Sequence, residues 1–396
     1  MEKIVEHLWP ILQQVTGYIY PNEVELYWRI LIVVYPYITG LVAGAFILAS
    51  LVKVFKVKEL QPTYRLSLLT ALSFLIVAPM PLLAHLGHPE RSFEIFLTPN
   101  RSSAMAMFGY IYLWYLMAVL LLEVWFEYRK DLIVWAKNKK GFLSWIHRIL
   151  SLFSSDISEK AVKFDQKAVK ILTIIGIPSA FLLHGYVGFI FGSIKANPWW
   201  SSVLMPIVFL FSAMVSGMAL VLLIYMVVTL VRGNKIEMPT LDKLASFLFY
   251  TMIVAFSLEA LDFIHRIYES EESIGIISEL ISGKLFASLI VIQLLLGMIV
   301  PLFALASTKM FKIPSELRRH IYFVSALLIQ VGIFSTRWNV VIGGQLFSKS
   351  FRGLTTYKMS LGGIEGLLTS LGFLILPFII LYVIVKILPP WEKAKN

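Results

Sequence analysis

Nine long runs of apolar residues dominate this 396-residue chain. Each run can cross the roughly 30 Å hydrocarbon core of a bilayer as a helix, and a single segment in lipid must satisfy its backbone hydrogen bonds internally. The sequence therefore predicts an all-α, polytopic transmembrane bundle with nine spans, or ten if the N-terminal segment also crosses. The predicted spans are 27–52, 64–84, 105–127, 168–192, 203–231, 243–267, 284–306, 318–336 and 364–388.

The chain is expected to consist of transmembrane bundles without a separate soluble domain, because 58% of the residues are hydrophobic and no polar stretch is long enough for one. We expect an interfacial amphipathic helix at 1–26 and a cytoplasmic tail at 389–396. The first bundle covers 27–192 and contains a basic cytoplasmic loop at 127–167. The second bundle covers 203–388, followed by the tail.

Lysine and arginine are distributed unequally over the predicted loops. Of the 35 basic residues, 24 fall in the loops on one side, and the longest of these loops is 127–170. Because cytoplasmic loops carry the excess of basic residues, the N-terminus is predicted outside and the C-terminus in the cytoplasm of a multi-pass cell-membrane protein. The net charge of +11 has the same explanation, so no nucleic-acid partner is expected.

Several redox centres are excluded by what the chain lacks. It has no cysteine, which rules out thiolate-held iron–sulfur clusters and zinc–thiolate sites in this chain. No metal site is predicted, and no nucleotide-binding glycine loop occurs. Of the seven histidines only His184 lies well inside a span, whereas a membrane-bound haem needs paired histidines at matching depth.

Ionisable residues nevertheless occur near one end of the predicted bundle, on its outer side. Because charges in a membrane are costly and usually functional, they form the candidate site. In the sixth span Glu259, Asp262 and His265 share one helix face. Together with His184 they are candidates for accepting protons. Alternatively, the carboxylates form salt bridges between helices, and the His184 ring bonds a backbone carbonyl.

The loops at the same end supply candidates for ligand orientation. The first group follows the second span, where an ordinary external turn is the alternative. The second group follows the eighth span, where 337–363 is expected to be an external loop or a re-entrant segment. On the inner side, Glu123 is a candidate for a proton route. The candidates of the first group are His85, His88, Glu90 and Arg91, and those of the second group are Arg337, Asn339 and Gln345.

Electron transfer in such a chain requires a diffusible two-electron carrier and a second subunit. A quinol suits this role, since it reaches a site from lipid and releases two protons when oxidised, which histidine or carboxylate groups accept. A secondary transporter and a purely structural anchor are the alternatives. Transporters, however, favour a site at the midplane between internal repeats.

Five segments between residues 35 and 353 carry a family resemblance. LLAHLGHPERSFEIF and FLLHGYVGFIFG resemble segments of the NrfD/PsrC family of quinone-interacting membrane subunits, in its HybB-like branch. SLEALDFIHRIYESEESIGIISELISGK and RWNVVIGGQLFSKSFRG resemble DsrP-type subunits of the sulfite-reduction-associated Dsr complex. YPYITGLVAGAF resembles the glycine-rich first helix. Tyr35 and Tyr37 lie in this helix, where the smaller relatives bind quinone.

The resemblance implies two four-helix bundles with an extra helix or helices. It also implies a quinone-reactive subunit of an oxidoreductase complex, with no redox metal of its own. The bound substrate would be menaquinone or menaquinol, near the outer face. The implied partners are an extracytoplasmic ferredoxin-like iron–sulfur subunit, a cytochrome c, and other membrane and cytoplasmic subunits of a Dsr-type complex. A link to dissimilatory sulfur or sulfite metabolism follows from the same likeness.

Overall fold

The computed structural model describes residues 9–268 and 273–392, apart from the side chains of 266 and 267. Over these residues it has nine helices long and apolar enough to span a membrane, which confirms the predicted all-α multi-pass fold. Residues 1–8 of the predicted N-terminal helix and 393–396 of the tail lie outside the described residues. The nine helices are α1 Ile30–Lys53, α2 Lys58–His85, α3 Ala104–Asn138, α4 Glu159–Gly192, α5 Met205–Val231, α6 Met238–His265, α7 Phe286–Met310, α8 Ser315–Gln345 and α9 Leu367–Ile387.

Several of these helices change geometry along their length or extend beyond the span. Regular α-helix continues past the end of α6 to Tyr268. Helix α2 begins as a 3₁₀ turn, Lys58–Thr63. Wider π-helical segments occupy Trp114–Leu120 in α3 and Phe286–Ile299 in α7. Such segments are uncommon and often lie at functional sites.

Short elements connect the spans. Helical pieces lie at Pro21–Glu23, Pro89–Arg91, Glu94–Leu97, Phe142–Leu150 and Ile274–Ser282, and the 3₁₀ turn Gly343–Gln345 ends α8. Two short strands, β1 Thr16–Gly17 and β2 Gly353–Leu354, pair antiparallel, with Thr16 opposite Leu354. This pairing attaches the segment before α1 to the loop after α8.

Helix α1 is central, and most of its length is buried by the other helices, whereas α9 is largely uncovered on its outward face. Gly44 of α1 lies directly against Gly217 of α5, where a β-carbon on either residue would collide with the opposite backbone. Small residues allow helices in lipid to approach this closely. The helices therefore pack tightly across the boundary predicted between residues 192 and 203.

Consecutive spans cross in opposite directions, so α2, α4, α6 and α8 all finish at one end of the bundle, called here the His85 end. The opposite end is called the Glu127 end. At the Glu127 end Lys53 lies 3.1 Å from Glu127. The eighth span differs from expectation, because its regular helix continues to Val341. The prediction that a loop begins at residue 337 is therefore wrong, and Arg337 lies inside a helix.

Candidate functional site

A buried arginine–histidine pair joins α4 to α8 below the His85 end. The Nη2 atom of Arg337 lies 3.1 Å from Nε2 of His184 and 2.5 Å from Oγ of Ser212 in α5. Both Arg337 and His184 are fully buried. The guanidinium carbon lies 4.1 Å from the ring centre of Phe209, on which the His184 ring also stacks. Three helices thus hold one cation deep in an apolar bundle.

The pair fixes the tautomer of His184. An arginine side chain can only donate hydrogen bonds, so Nε2 of His184 must accept and the ring proton lies on Nδ1. This assignment follows from the hydrogen-bond network. Nδ1 of His184, together with Nε and Nη1 of Arg337, has no hydrogen-bond partner among the described residues. Two buried side chains therefore have donor groups left for a ligand.

Glu259 of α6 provides the compensating negative charge. Its carboxylate is close enough to interact electrostatically with Arg337, and its Oε2 accepts a hydrogen bond of 3.1 Å from Nε2 of Gln293. The other oxygen, Oε1, is buried without a partner among the described residues. A charge buried in a low-dielectric interior is tolerated when another charge offsets it, so Arg337 and Glu259 stabilise each other.

A chain of hydrogen bonds continues from Glu259 into α8. Nδ2 of Asn339 donates to Oε1 of Gln293 at 2.8 Å, and the hydroxyl of Ser288 donates to Oδ1 of Asn339 at 2.6 Å. Gln293 and Ser288 lie in the π-helical segment of α7. Asn339, predicted to orient a ligand, thus belongs to the same polar network as Glu259.

A long apolar groove runs beside this cluster. It has a volume of about 900 Å³ and is lined by α1, α2, α5, α8 and α9. Among its few polar lining groups are Tyr37 and Gln330, whose side chains share a hydrogen bond of 2.7 Å. Tyr37 also lies within electrostatic range of Arg337. Tyr37 therefore connects the groove electrostatically with the buried cation, whereas Arg337 and His184 themselves are not among the residues that line the groove.

Other predicted residues of α6 lie nearer the His85 end. The hydroxyl of Ser202 donates a hydrogen bond to Oδ1 of Asp262. The side chain of His265 is exposed. Of the three acidic and imidazole groups predicted on this helix, Glu259 is the one within electrostatic range of Arg337.

Four predicted residues make polar side-chain contacts at the surface of the His85 end. Nδ1 of His85 lies 2.6 Å from Glu365 at the start of α9. His88 pairs with Glu90, and Arg91 pairs with Glu94, all with exposed side chains. These local pairs lie outside the buried cluster.

Two further predicted residues make contacts that belong to the scaffold. Gln345 accepts a hydrogen bond of 3.1 Å from the backbone N–H of Trp28 and donates one of 2.9 Å to the carbonyl of Trp28. The Tyr35 ring packs edge-on against Phe108, and its hydroxyl has no hydrogen-bond partner among the described residues. Gln345 therefore attaches the segment before α1 to the end of α8.

Glu123 is fully buried in α3, just after the π-helical segment. Its Oε1 accepts a hydrogen bond of 2.7 Å from Thr173 of α4, and its Oε2 has no partner among the described residues. The nearby Tyr115 hydroxyl is likewise buried and unpartnered within the described chain. A carboxylic acid in such a position can carry a proton.

The comparison with protein families fits this arrangement of buried polar groups in a helical bundle. The family described as "Polysulphide reductase, NrfD" matches residues 21–349, which is most of the chain. This chain belongs to the NrfD family. The matched range includes all of α1 to α8 and every residue of the buried cluster.

Two curated relatives resemble parts of this NrfD-family chain. The selenate reductase C subunit of Mesobacillus selenatarsenatis is 37% identical over 203 residues, covering 50% of this chain and 47% of that protein. The putative dimethyl sulfoxide reductase membrane C subunit of Halobacterium salinarum is 28% identical over 227 residues, covering 55% and 48%. The chain thus spans about half the length of the curated relatives it matches.

Sequence reasoning missed the uncharged partners of the cluster. Ser212, Gln293 and Gln330 each lie within a span and each bond a predicted residue or its neighbour. A polar residue in lipid is costly without a partner. Gln293 in α7 and Gln330 in α8 are polar residues inside spans, and this position was the available signal in the NrfD-family sequence that they have polar partners.

Proposed function

We propose that this chain is the quinone-reactive membrane subunit of a multi-subunit reductase. It oxidises menaquinol, or reduces menaquinone in the reverse direction. The observation that carries the proposal is the fully buried Arg337–His184 pair beside the groove wall formed by Tyr37 and Gln330. Membership of the NrfD family and the reductase names of the two relatives support it.

The apolar groove suits the isoprenoid tail of a quinone. Almost all of its lining is hydrocarbon or aromatic, and it contains Phe334 and Trp338 beside Tyr37. Ligand sites of this kind are mostly apolar with a few polar groups that fix orientation. A quinone diffusing in the bilayer would reach Tyr37 along the groove with its ring leading.

The ring would be oriented by Tyr37 and Gln330. The Tyr37 hydroxyl donates to Oε1 of Gln330, so its oxygen has a lone pair that can accept a hydrogen bond from a quinol hydroxyl. Gln330 is itself held by a 2.7 Å hydrogen bond from Nε2 to the carbonyl of Ser216. Arg337 interacts electrostatically with Tyr37, and its positive charge would stabilise the anion that forms when a quinol bound there loses a proton.

Oxidation of one quinol to a quinone releases two electrons and two protons. The unpartnered Oε1 of Glu259 is the proposed acceptor of one proton, with Asp262 and His265 leading toward the surface. His184 is the proposed acceptor of the second proton. Its Nδ1 already carries a proton, so the new one would bind Nε2 when the hydrogen bond from Arg337 opens. In quinone reduction the same N–H can donate.

The electrons would leave to an iron–sulfur protein docked at the His85 end. The basic residues are concentrated at the opposite, Glu127 end, and the positive-inside rule therefore puts the His85 end outside the cytoplasm. The exposed pairs His88–Glu90 and Arg91–Glu94 would contact this partner. Glu123 would belong to a separate proton route from the other side.

We extend the proposal to sulfur metabolism on the sequence likeness alone. RWNVVIGGQLFSKSFRG and the end of α6 resemble DsrP-type subunits, whose complexes include a cytochrome c and a ferredoxin-like protein. The two curated relatives carry the names of selenate and dimethyl sulfoxide reductases instead. Identification of the proteins that co-purify with the tagged chain distinguishes a Dsr-type complex from either reductase.

The ring site is tested by quinol oxidation in the purified complex. Tyr37→Phe removes the hydroxyl but keeps the ring, and Tyr250→Phe is the matched control, because Tyr250 is an exposed tyrosine on α6. We expect Tyr37→Phe to raise KM for a short-chain menaquinol and lower kcat, with Tyr250→Phe unchanged. Equal rates in both variants would exclude this ring site.

Two rival functions give different results in related assays. A structural anchor retains its partners but gives unaltered quinol oxidation in His184→Ala. A secondary transporter moves solute in liposomes without binding a quinone analogue. An unchanged ratio of protons moved to electrons transferred in Glu123→Gln would exclude the proton route.

A further inference from the structure

At the Glu127 end a basic pocket adjoins the apolar groove. The pocket has a volume of about 580 Å³, and four residues line both it and the groove, so the two spaces meet. Residues at and just after the end of α5 line the pocket, together with residues of the segment that follows α9. The four shared residues are Leu66, Val228, Arg232 and Trp391.

The pocket is positively charged. Arg232 and Lys235 line it, and neither forms an ion pair with a carboxylate of the described residues. Arg65 also lines it but is neutralised by Glu127 at 3.0 Å and Asp131 at 2.7 Å. The one carboxylate in the lining is Glu237, so two uncompensated cations face one anion.

Aromatic packing holds one of these cations at the junction. The guanidinium carbon of Arg232 lies 3.7 Å from the ring centre of Trp391. A cation held over an indole face keeps its N–H groups available at the ring edge. Lys386 extends the positive surface, since it lines the groove near this end.

The groove next to the pocket is hydrocarbon. Val227, Val231 and Val385 line it there, and the groove extends along the whole of α9, from Leu367 to Lys386. A helix of this length covers about 30 Å, and the chains of one leaflet fill about half of a 30 Å hydrocarbon core. An acyl chain that enters the groove from the Glu127 end would therefore fill about half of its length and leave the half beside Tyr37 empty.

We propose that the basic pocket and the adjoining half of the groove bind one anionic phospholipid. Its phosphate would lie between Arg232 and Lys235, and one acyl chain would lie along the valines of α5 and α9. A phospholipid has an anionic headgroup that matches the charge of the pocket and apolar chains that match the lining of the groove. A quinone has no anionic group. The proposal is independent of the quinone site at the other end.

The test measures lipid binding to the purified full-length chain by native mass spectrometry. The probes are phosphatidylglycerol and phosphatidylcholine with the same acyl chains. We expect one phosphatidylglycerol to bind more tightly than phosphatidylcholine. Arg232→Gln combined with Lys235→Gln should weaken that binding about 30-fold, or about 2 kcal/mol, since each basic residue near an anionic lipid contributes about 1 kcal/mol.

A charge-matched control removes two other exposed lysines from the Glu127 side. Lys58→Gln combined with Lys312→Gln makes the same change in net charge away from the pocket, and we expect it to leave the affinity unchanged. An equal loss in this control would mean general attraction to the basic surface and would overturn the proposal. Equal binding of the two lipids would overturn it as well.

Two further arms separate a lipid from other ligands. Val228→Trp should block the junction and weaken phosphatidylglycerol binding, while soluble glycerol 1-phosphate should not compete. Competition by glycerol 1-phosphate, or full binding to Val228→Trp, would contradict the use of the groove. Tyr37→Phe should leave lipid binding unchanged, so failure of the quinone site and failure of the lipid site are distinguishable.

Discussion

Arg337 donates a hydrogen bond of 3.1 Å to His184, joining two fully buried side chains that are 153 residues apart in sequence. The pair determines the protonation of the histidine, because the arginine can only donate. It also places a cation where lipid-embedded proteins rarely have one. The proposed quinone chemistry depends on this pair more than on any other contact.

Arg337→Met should lower kcat in complexes that remain folded. Methionine fills the apolar space but removes the charge near Tyr37 and the hydrogen bonds to His184 and Ser212. Removing one partner of a buried charge pair leaves Glu259 uncompensated, which costs roughly 3–5 kcal/mol, so we also expect a lower unfolding temperature. We expect kcat for quinol oxidation per folded complex to fall by about 100-fold or more, as when a preorganised charge is removed from a site. Unaltered kcat in a folded complex would contradict the role of Arg337.

Gly40→Val should displace His184. A β-carbon at Gly40 would lie 3.1 Å from Cε1 and 3.2 Å from Nε2 of the imidazole, so a branched side chain forces the ring away from Arg337. We expect kcat to fall by at least about 10-fold, because small displacements at a reacting centre are costly. Gly372→Val in α9 is the control, since no atom lies within 4 Å of its β-carbon position. A similar loss in both variants would mean that the effect is not due to His184.

Gln345→Leu should destabilise the fold without changing quinone binding. Gln345 bonds both backbone groups of Trp28 and the carbonyl of Val341. Leaving a buried backbone group unpaired costs about 1–3 kcal/mol. We therefore expect a lower unfolding temperature and an unchanged quinone dissociation constant. Weaker quinone binding at an unchanged unfolding temperature would reverse this assignment and restore Gln345 as a ligand contact.

The helix Phe142–Leu150 should dock in a pH-dependent way. Burial lowers the pKa of His147, whose Nε2 lies 2.8 Å from the carbonyl of Ile387 at the end of α9. Below the ordinary histidine pKa of about 6.5 the unfolded chain binds a proton that the folded chain excludes. Stability from this group is thus complete above that pH and falls as the pH drops toward the lowered pKa.

The measurement is thermal unfolding of the purified chain at about pH 7.5 and about pH 5.5. The unfolding temperature of the unaltered chain should drop more on acidification than that of His147→Gln, which keeps a hydrogen-bond donor but does not titrate. His320→Gln is the control, because His320 is exposed. Parallel decreases in the unaltered chain and His147→Gln would rule out this histidine as the cause.

The sequence predicted how deep each residue lies in the membrane better than it predicted which side chains that residue contacts. Apolar runs locate the spans, and connectivity then brings His184 and Arg337 to the same side of the bundle. Hydropathy does not fix how each helix is rotated, so the contacts of Arg337 with Ser212 and Phe209 were not foreseen. Arg337 was also placed in a loop because the polar sequence after it resembles one, whereas buried partners allow the helix to continue.

It was harder to distinguish residues that bind a ligand from polar residues of the surface or the scaffold. His88 and Arg91 pair with nearby carboxylates, and Gln345 bonds a backbone segment more than 300 residues away in sequence. In a single sequence a polar residue that closes a loop and one that binds a ligand have the same appearance. The glutamine in α7 shows the converse, because an uncharged residue links Glu259 to Asn339.

Photolabelling of the intact complex with an azido-quinone, followed by peptide mapping, tests the central claim most directly. The ring site lies between α1 and α8, at Tyr37 and Gln330 beside Arg337. We expect label in 30–41 and 327–338, and loss of that label with excess menaquinone. Displaceable label found only on other helices would contradict it.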